Sequence, residues 1–461
     1  MCGIAGSFGI EDGEKLVEEM LGRIAHRGPD GKGLQRYGDA VHGHVRLALR
    51  DLTDASAQPF SKQGGVLCYN GELWNDLDLK ADAESRGRTF CTTGDTEVLA
   101  ALLDEKGEAA LSDLDGMFAL AYSKGEDHFV ARDLFGKIPV YIAKVSKGKY
   151  LWASERKAFP KKLNPLAVPA GCLFDLVTGQ WRRHYTMPNE KMATTDASKC
   201  WVLEALRAGV EKRMSADAPV CVLVSGGLDS SSILALALEK TNNVTAYTAT
   251  FDRSSEDARS ARRICDHFGV SLVEVPVDAS TSAVKKAMLC VEISSKAQIE
   301  IATLCLPLAK RIYSDGFKAC LSGEAADELF GGYGNFCIKA SKASDSEVVV
   351  MRKQQLAKMA RGNFVRCNKA FMAHGVECRL PFMEQSLVEC TVQLGKAKSP
   401  LGKKLLKEAT EPILPAWVTK RQKDTFQGGS GLSKKVANDI ANPVRYYNSQ
   451  LRSLFGYLPK D

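Results

Sequence analysis

The segment 220–224 constrains the fold of this 461-residue chain more than any other part of the sequence. Its five apolar residues, Val-Cys-Val-Leu-Val, predict a strand buried on both faces, as in a parallel sheet covered by helices. A helical pattern follows over 230–240, and strand and helix patterns then alternate as far as Leu321. This alternation predicts a doubly wound α/β domain, followed beyond Phe330 by a mainly helical region.

The first 185 residues follow a different pattern. Short β-runs such as 119–122 and 140–143 are separated by Gly, Asp and Asn turns, and helical patterns lie between them. Such a pattern is typical of a layered α+β domain. The polar stretch 186–198 has no periodicity and predicts a linker. A chain of this length favours two domains, which we place at residues 2–190 and 199–461.

Composition and charge favour an ordinary globular protein of the cytoplasm. The net charge of +7 is mild, and lysines such as Lys403, Lys404 and Lys407 predict a solvated surface rather than a nucleic-acid site. The 14 cysteines lie mostly in apolar stretches, without a secretory leader or C-x-x-C pairs, which favours reduced thiols. Because no apolar run is long enough to span a bilayer, we expect no membrane partner.

The first chemically informative residue is Cys2. Removal of Met1 would place a thiol and a free α-amino group on one residue. A thiol with a pKa of about 8.5 is only slightly ionised at neutral pH, so a nearby base helps it to act as a nucleophile. The α-amine, with a pKa of about 7.7–8.0, would serve as that base.

Further positions in the first half fit an attack by Cys2 on a primary amide. Asn70 and Gly71 follow a predicted strand, where two N–H groups would form an oxyanion pocket, although Asn-Gly is also a common turn. Arg46 and Asp95 carry opposite charges, suited to an α-carboxylate and an α-ammonium group. Together they predict hydrolysis of an amino-acid amide.

Two segments of the second half predict a nucleotide site. Ser225-Gly226-Gly227-Leu228-Asp229-Ser230 lies between a buried strand and a helix, where glycines and unpaired N–H groups suit phosphate oxygens. Asp229 would hold Mg²⁺ there. Asp327, after a later strand, is a candidate second metal ligand, and Glu324 is a candidate base or positioning group. A purely structural glycine turn is the competing hypothesis for the first segment.

The motifs of the first half resemble the glutaminase domain of class II glutamine amidotransferases, an N-terminal-nucleophile hydrolase fold. The matching segments, in chain order, are Cys2-Gly3-Ile4, His26-Arg27-Gly28-Pro29-Asp30, Arg46-Leu47, Asn70-Gly71-Glu72, Gly94-Asp95-Thr96-Glu97 and Arg132-Asp133. The resemblance implies that Cys2 is the nucleophile and that Asn70 and Gly71 form the oxyanion hole. It also implies that glutamine is held by Arg46, Glu72 and Asp95.

The second half resembles the synthetase domain of glutamine-hydrolysing asparagine synthetases, which belongs to the ATP-pyrophosphatase group. The likeness extends to Gly375-Val376-Glu377, Arg379, Pro381-Phe382 and Arg421-Gln422-Lys423. It implies ATP contacts at Leu223, Thr250, Ser322 and Gly323, beside the loop residues Ser225, Gly226, Gly227 and Ser230. Asp229 and Asp327 would hold Mg²⁺-pyrophosphate, Glu324 would assist adenylation, and Lys423 would neutralise phosphate charge.

The two resemblances together imply glutamine-dependent amide synthesis, with aspartate as the preferred acceptor and asparagine as the product. Ammonia released at Cys2 would pass through an enclosed route to an acyl-adenylate made from ATP, and a homodimer is a candidate assembly.

The sequence departs from the family pattern around the expected acceptor site. The family's Gly-Glu-Gly-Ser-Asp-Glu is Gly-Glu-Ala-Ala-Asp-Glu over 323–328, and its Pro-Phe-Leu-Asp is Pro-Phe-Met-Glu over 381–384. A different carboxylic acid therefore stays open as the acceptor. Two further hypotheses are a nucleotide-binding protein without turnover and a β-lactam-type ring closer.

Overall fold

The computed structural model describes residues 1–61, 64–187, 198–251, 253–421 and 442–459. The strands are β1 (Gly3–Phe8), β2 (Gly31–Tyr37), β3 (Ala40–Arg46), β4 (Val66–Leu73), β5 (Gly116–Lys124), β6 (Asp127–Arg132), β7 (Tyr141–Ser146), β8 (Lys149–Ala153), β9 (Leu166–Ala167), β10 (Cys172–Asp175), β11 (Trp181–Arg183), β12 (Val220–Leu223), β13 (Thr245–Thr250), β14 (Ser271–Pro276), β15 (Ala319–Leu321) and β16 (Glu377–Arg379).

The α-helices are α1 (Gly13–Arg23), α2 (Asp76–Ser85), α3 (Asp95–Lys106), α4 (Lys199–Met214), α5 (Leu228–Leu238), α6 (Glu256–Phe268), α7 (Thr281–Val291), α8 (Lys296–Ser314), α9 (Ala326–Phe330), α10 (Gly334–Lys342), α11 (Asp345–Met359), α12 (Asn363–Met372), α13 (Gln385–Thr391), α14 (Lys404–Thr410), α15 (Ala416–Thr419) and α16 (Pro443–Phe455). Among the described residues, no helix has the length and apolar composition needed to cross a bilayer.

The first half folds as two stacked antiparallel sheets with a helix on each outer face. One sheet has the strand order β2-β3-β1-β8-β7-β9 and the other β11-β10-β6-β5-β4. Side chains from both sheets, including Ile4, Ala119 and Trp152, form the central apolar layer. Helix α1 packs on the first sheet through Val17, and α3 covers the second through Leu99. This four-layer arrangement confirms the predicted α+β sandwich.

The second half is built on a parallel sheet with the order β14-β13-β12-β15-β16. Sequential strands run outward from β12 on one side, and the chain then returns to add β15 and β16 on the other side. The reversal between β12 and β15 is a topological switch point, where ligands of doubly wound folds bind at the carboxyl ends of the strands. The predicted α/β domain is confirmed, and the loops after β12 and β15 carry the two predicted nucleotide segments.

Two boundaries refine the sequence prediction. Most of the predicted linker, residues 188–197, lies outside the described residues, and α4 begins directly after it with the Ser198 hydroxyl accepting from the Trp201 N–H. Asn70-Gly71-Glu72 was expected to follow a strand, but β4 continues through all three residues to Leu73. Their pairing with β5 holds the peptide extended, so Asn70 and Gly71 do not form a turn.

Candidate active sites

Cys2 lies at the edge of the first sheet sandwich, directly before β1 and against β4. Its backbone N–H donates to Asn70 Oδ1 at 2.8 Å, and the Leu47 N–H donates to Cys2 Sγ at 3.4 Å. Burial raises the pKa of the Cys2 thiol, an effect only partly offset by the nearby terminal ammonium group and the Leu47 contact. The sulfur is therefore held mainly as a thiol and needs a base to become a nucleophile.

Met1 is the residue that separates Cys2 from the second half of the chain. It is only 2% exposed, and its terminal ammonium lies 2.5 Å from Glu377 Oε2 at the start of β16. The Asn368 amide contacts Met1 Sδ at 2.9 Å. With Met1 in place the Cys2 nitrogen is an amide, so a base role for this nitrogen requires removal of Met1.

A cavity of about 40 Å³ opens beside the Cys2 sulfur. Its walls include all three residues predicted to hold glutamine, namely Arg46, Glu72 and Asp95, together with Gly71. A side chain at position 71 would place its Cβ 2.2 Å from the Met117 carbonyl oxygen, so glycine is required by the packing against β5. The Asn70 Nδ2 group lies 3.5 Å from Ser154 Oγ, and its role in an oxyanion pocket stays a prediction.

The two acidic groups of this cavity are held away from water. Burial, with Glu377 nearby, raises the pKa of Glu72 to about 8, although Arg379 lies 3.5 Å away. Burial also raises the pKa of Asp95, which accepts hydrogen bonds from Tyr69 Oη at 3.0 Å and the Leu73 N–H at 2.9 Å. A bound cation, such as an α-ammonium group, would favour the charged form of both carboxyl groups.

Arginine residues organise the rim of the same cavity. Arg46 donates to the carbonyl oxygens of Thr53 at 2.8 Å and Asp51 at 2.5 Å, which fixes the loop after β3. Arg50, which sequence reasoning missed, pairs with Asp76 at 2.6 Å. Its positive charge also lowers the pKa of Asp95, against the larger opposite effect of burial. Arg46 therefore shapes the loop that borders the predicted glutamine site.

The second site begins at the loop between β12 and α5. Gly226 has φ +71°, and a side chain there would place Cβ 2.3 Å from the Ser260 backbone. Ser230 Oγ accepts from the Ser225 N–H at 3.1 Å, closing the loop, and α5 begins after Gly227. The loop thus presents the first turn of a helix at the switch point of the sheet, a position that suits phosphate groups.

Asp229 and Asp327 meet at one cation, the ammonium group of Lys403. Lys403 Nζ lies 2.8 and 2.7 Å from the two Asp229 oxygens and 2.6 Å from Asp327 Oδ1. The structure brings together the two residues predicted to hold metal. It also corrects the prediction for Lys403, which was assigned to a solvated surface but is 4% exposed. No periodicity in the surrounding Gly-Lys-Lys sequence distinguishes it from its exposed neighbour Lys404.

Glu324 is held at the same strand edge by two residues of the α12 region. Arg366 pairs with Glu324 Oε1, and Asn363 Nδ2 donates to Oε2 at 3.2 Å. Next to it, burial and the charge of Glu324 raise the pKa of Glu328 to about 7, although Tyr333 donates to Glu328 at 2.7 Å. Glu324 is thus held in an ion pair with its arginine partner, while Glu328 would exchange a proton near neutral pH.

The other residues predicted to contact ATP surround this edge. Leu223 and Thr250 end β12 and β13, and Ser322 and Gly323 follow β15. A Cβ at Gly323 would lie 3.0 Å from Asp229 Cβ, so the two predicted nucleotide segments are in close contact. Lys423 lies outside the described residues.

Ala325 has a backbone conformation that normally requires glycine. Its φ is +82°, directly before α9, and its side chain is buried. This is one of the positions where the sequence departs from the expected glycine. The substitution keeps the turn geometry at an energetic cost, because an L-residue with positive φ crowds its own carbonyl group.

Strand β16 connects the two sites. The Arg379 side chain pairs with Glu377 at 2.6 Å and reaches Glu72 of the first cavity at 3.5 Å. The Arg379 carbonyl accepts from the Ser322 N–H at 2.9 Å, in the loop of the second site. One residue therefore touches both sites, through its side chain on one side and its backbone on the other.

Comparison with known sequences finds a match for each half of the chain. Residues 1–191 match a glutamine amidotransferase domain, and residues 202–352 and 340–455 match the asparagine synthase family. The chain belongs to the asparagine synthase family. Members of this family use ATP, which agrees with the loop geometry at the switch point.

Three relatives in the asparagine synthase family align with 94% of this chain. Asparagine synthetase B [glutamine-hydrolyzing] of Escherichia coli (strain K12) is 32% identical over 465 residues, which cover 83% of that protein. Asparagine synthetase [glutamine-hydrolyzing] 2 of Oryza sativa subsp. japonica is 30% identical over 466 residues, covering 78% of it. Asparagine synthetase [glutamine-hydrolyzing] 3 of Arabidopsis thaliana is 30% identical over 465 residues, covering 80% of it.

Proposed function

We propose that this protein hydrolyses glutamine at Cys2 and uses the released ammonia to convert a carboxylic acid, activated by ATP, into an amide. The observation that carries the proposal is the contact of Arg379 with both sites, because the cavity beside Cys2 and the strand edge with the predicted nucleotide loops lie side by side. Aspartate is the proposed acceptor and asparagine the proposed product, in line with the names of the relatives.

In the first half, Cys2 Sγ attacks the side-chain amide carbon of glutamine. The proton of the thiol passes to the α-amine of Cys2, once Met1 has been removed, and then to the departing ammonia. Gly71 N–H and Asn70 would stabilise the oxyanion. The substrate's ammonium group would favour the charged forms of Glu72 and Asp95, and water then releases glutamate from the thioester.

In the second half, the acceptor carboxylate attacks the α-phosphorus of ATP and pyrophosphate leaves. The pyrophosphate group would be held by the helix start at Gly227 together with Ser225 and Ser230. The nucleotide would contact Ser322 and Gly323. Glu324, fixed by Arg366, would orient the reacting acid. Ammonia then displaces AMP from the acyl-adenylate to give the amide.

Magnesium is the proposed metal of this second half. The residues fit it, because one ammonium group already lies between Asp229 and Asp327, and both supply the oxygen ligands that Mg²⁺ prefers. Bound there, Mg²⁺ would neutralise the charge of the pyrophosphate group. Lys423 would add positive charge from outside the described part of the chain.

The identity of the acceptor acid is the most specific part of the proposal. Glu384, one of the departures from the family sequence, is paired with Arg213 at 2.9 Å and Lys212 at 2.7 Å, so the carboxylate at this position is held in a buried ion pair. Ala325 preserves the turn expected of glycine. Both observations favour retention of the family's site geometry. The enclosed ammonia route, the cytoplasmic location and a homodimer stay predictions.

The test combines the protein with glutamine, Mg²⁺-ATP and aspartate. We expect equal amounts of AMP and asparagine, and glutamate in at least the same amount. Pyrophosphate release is then compared over a panel of carboxylic acids, including glutamate and aromatic acids. Faster release with another acid would replace aspartate as the acceptor. Glutamate formation without AMP for every acid would contradict the synthetase half.

A further inference from the structure

Lys403 occupies the place between Asp229 and Asp327 that a metal ion would need. Its ammonium contacts three carboxylate oxygens of these residues at 2.6–2.8 Å. A cation this close to two carboxylates offsets their mutual repulsion in a partly desolvated site. The ammonium and a divalent ion would compete for this place, because two cations in contact with the same carboxylates repel each other.

The backbone around Lys403 is built to keep the ammonium there. Lys403 has φ +62°, and its N–H donates to the Phe330 carbonyl at 3.1 Å, while the Gly402 N–H donates to the Gly331 carbonyl at 3.0 Å. These bonds fasten the segment before α14 to the turn after α9. A side chain at Gly332 would lie 2.0 Å from Asp327 Oδ1 and 2.3 Å from Lys403 Cε, so the turn is packed directly against the ion pair.

Building on the proposed adenylation, we propose that Lys403 is a positioning residue that takes the place of the metal ion in the nucleotide-free enzyme. It holds Asp229 and Asp327 together and excludes free divalent ions. When Mg²⁺ arrives with the ATP phosphates, the carboxylates transfer to the metal and the ammonium turns to the phosphate oxygens. The exchange keeps the charge of the site balanced before and after nucleotide binding.

This arrangement makes metal binding depend on nucleotide. A free divalent ion would have to displace the Lys403 ammonium from the carboxylates. Without nucleotide, no phosphate group is present to pair with the displaced ammonium. With ATP or pyrophosphate present, the displaced ammonium gains a phosphate partner, so the exchange becomes favourable. The enzyme would therefore bind Mg²⁺ weakly alone and tightly as the nucleotide complex.

Manganese binding to the full-length protein tests the proposal without any turnover. Free Mn²⁺ is measured by electron paramagnetic resonance in the absence of nucleotide, for wild type, Lys403→Met, and the control Lys404→Met. Lys404 is the adjacent exposed lysine, whose carboxylate partner is Glu408 at 3.9 Å. We expect Lys403→Met to bind Mn²⁺ at least about tenfold more tightly than wild type, and Lys404→Met to match wild type.

Thermal melting gives a second readout. Lys403→Met should melt at a lower temperature than wild type in EDTA, and Mn²⁺ alone should restore much of the loss, because bound metal stabilises the folded state. Asp327→Asn added to Lys403→Met should remove that rescue. The melting temperature of wild type should rise only when Mn²⁺ and pyrophosphate are added together.

Lys403→Arg keeps the test decisive if Lys403→Met does not fold. It retains the positive charge and should exclude free Mn²⁺ as wild type does. The proposal would be overturned if wild type or Lys403→Arg bound free Mn²⁺ tightly. It would also be overturned if folded Lys403→Met bound Mn²⁺ no more tightly than wild type. Failure to form AMP with any acid would contradict the proposed function instead, because the metal measurements use no acceptor.

Discussion

The two sites treat their buried carboxylates in opposite ways. In the first cavity, burial raises the pKa of Glu72 to about 8, and its contact with Arg379 is as long as 3.5 Å. In the second site, Asp229 and Asp327 lie within 2.8 Å of Lys403, and Glu324 is paired with Arg366. Burial thus shifts the carboxyl groups of the first cavity towards the neutral form, whereas the second site pairs its carboxylates with lysine and arginine side chains.

The difference reflects what each site is proposed to receive. A zwitterionic amino acid brings an ammonium group, so acid groups that ionise on its arrival contribute binding energy at that moment. A nucleotide brings several negative charges together with a metal ion. The carboxylates that would bind this metal therefore need cations that can move to the phosphate groups. Substitutions in one half should therefore leave the chemistry of the other half intact.

The largest effect is expected from Cys2→Ala. Removal of the nucleophile should lower glutamine-dependent amide formation by more than about 10⁴-fold, because no other group makes the thioester. Amide formation from added ammonium chloride should continue at the wild-type rate, measured as AMP release. Equal loss of both activities would mean that the two halves are not chemically separable.

The complementary change is Glu324→Gln. It keeps the shape of the side chain but weakens its pairing with Arg366, so AMP formation should fall by about 10³-fold with either nitrogen source. Glutamate release at Cys2, assayed without ATP, should stay within a factor of about two of wild type. Glu408→Gln, an exposed glutamate on α14, is the matched control. Loss of glutaminase activity in Glu324→Gln would contradict the separation of roles.

A stability effect is expected at Glu328, whose pKa is raised from 4.5 to about 7. The folded protein binds this proton more tightly than the unfolded chain, so the stabilising contribution is complete below pH 4.5 and is lost as the pH rises through 7. Denaturation of wild type and Glu328→Gln at about pH 4.5 and about pH 8 should show their stability difference change by about 3 kcal/mol, to the disadvantage of wild type. A pH-independent difference would show that folding leaves the pKa of Glu328 unchanged.

The smallest effect is expected from Ala325→Gly. Glycine adopts φ +82° without crowding, so the substitution should raise the free energy of unfolding by about 1 kcal/mol. Chemical denaturation measures the change, and Ala326→Gly, at the first residue of α9, should destabilise the protein instead. A loss of stability in Ala325→Gly would mean that the buried Ala325 methyl group outweighs the backbone strain.

Sequence reasoning predicted both folds correctly because they depend on local patterns, and it named residues that the structure places together, such as Asp229 and Asp327. The apolar run at 220–224 and the glycine loop after it specify a buried strand and a turn, and both occur in the structure. Asn70 was misplaced, because an Asn-Gly pair also fits an extended strand when a neighbour such as β5 holds it. Lys403 and Arg50 were missed because their roles arise from tertiary contacts with distant residues, which leave no periodic signal.

The burial of Met1 has a consequence for how the protein matures. Its amino group rests on Glu377, a residue synthesised 376 positions later, so an aminopeptidase would reach Met1 more easily before this contact forms. We therefore expect trimming to occur on the nascent chain, before the second half leaves the ribosome and docks. Preparations in which expression outpaces this processing would contain a fraction that is inactive with glutamine but active with ammonium, visible as a second species in intact-mass spectra.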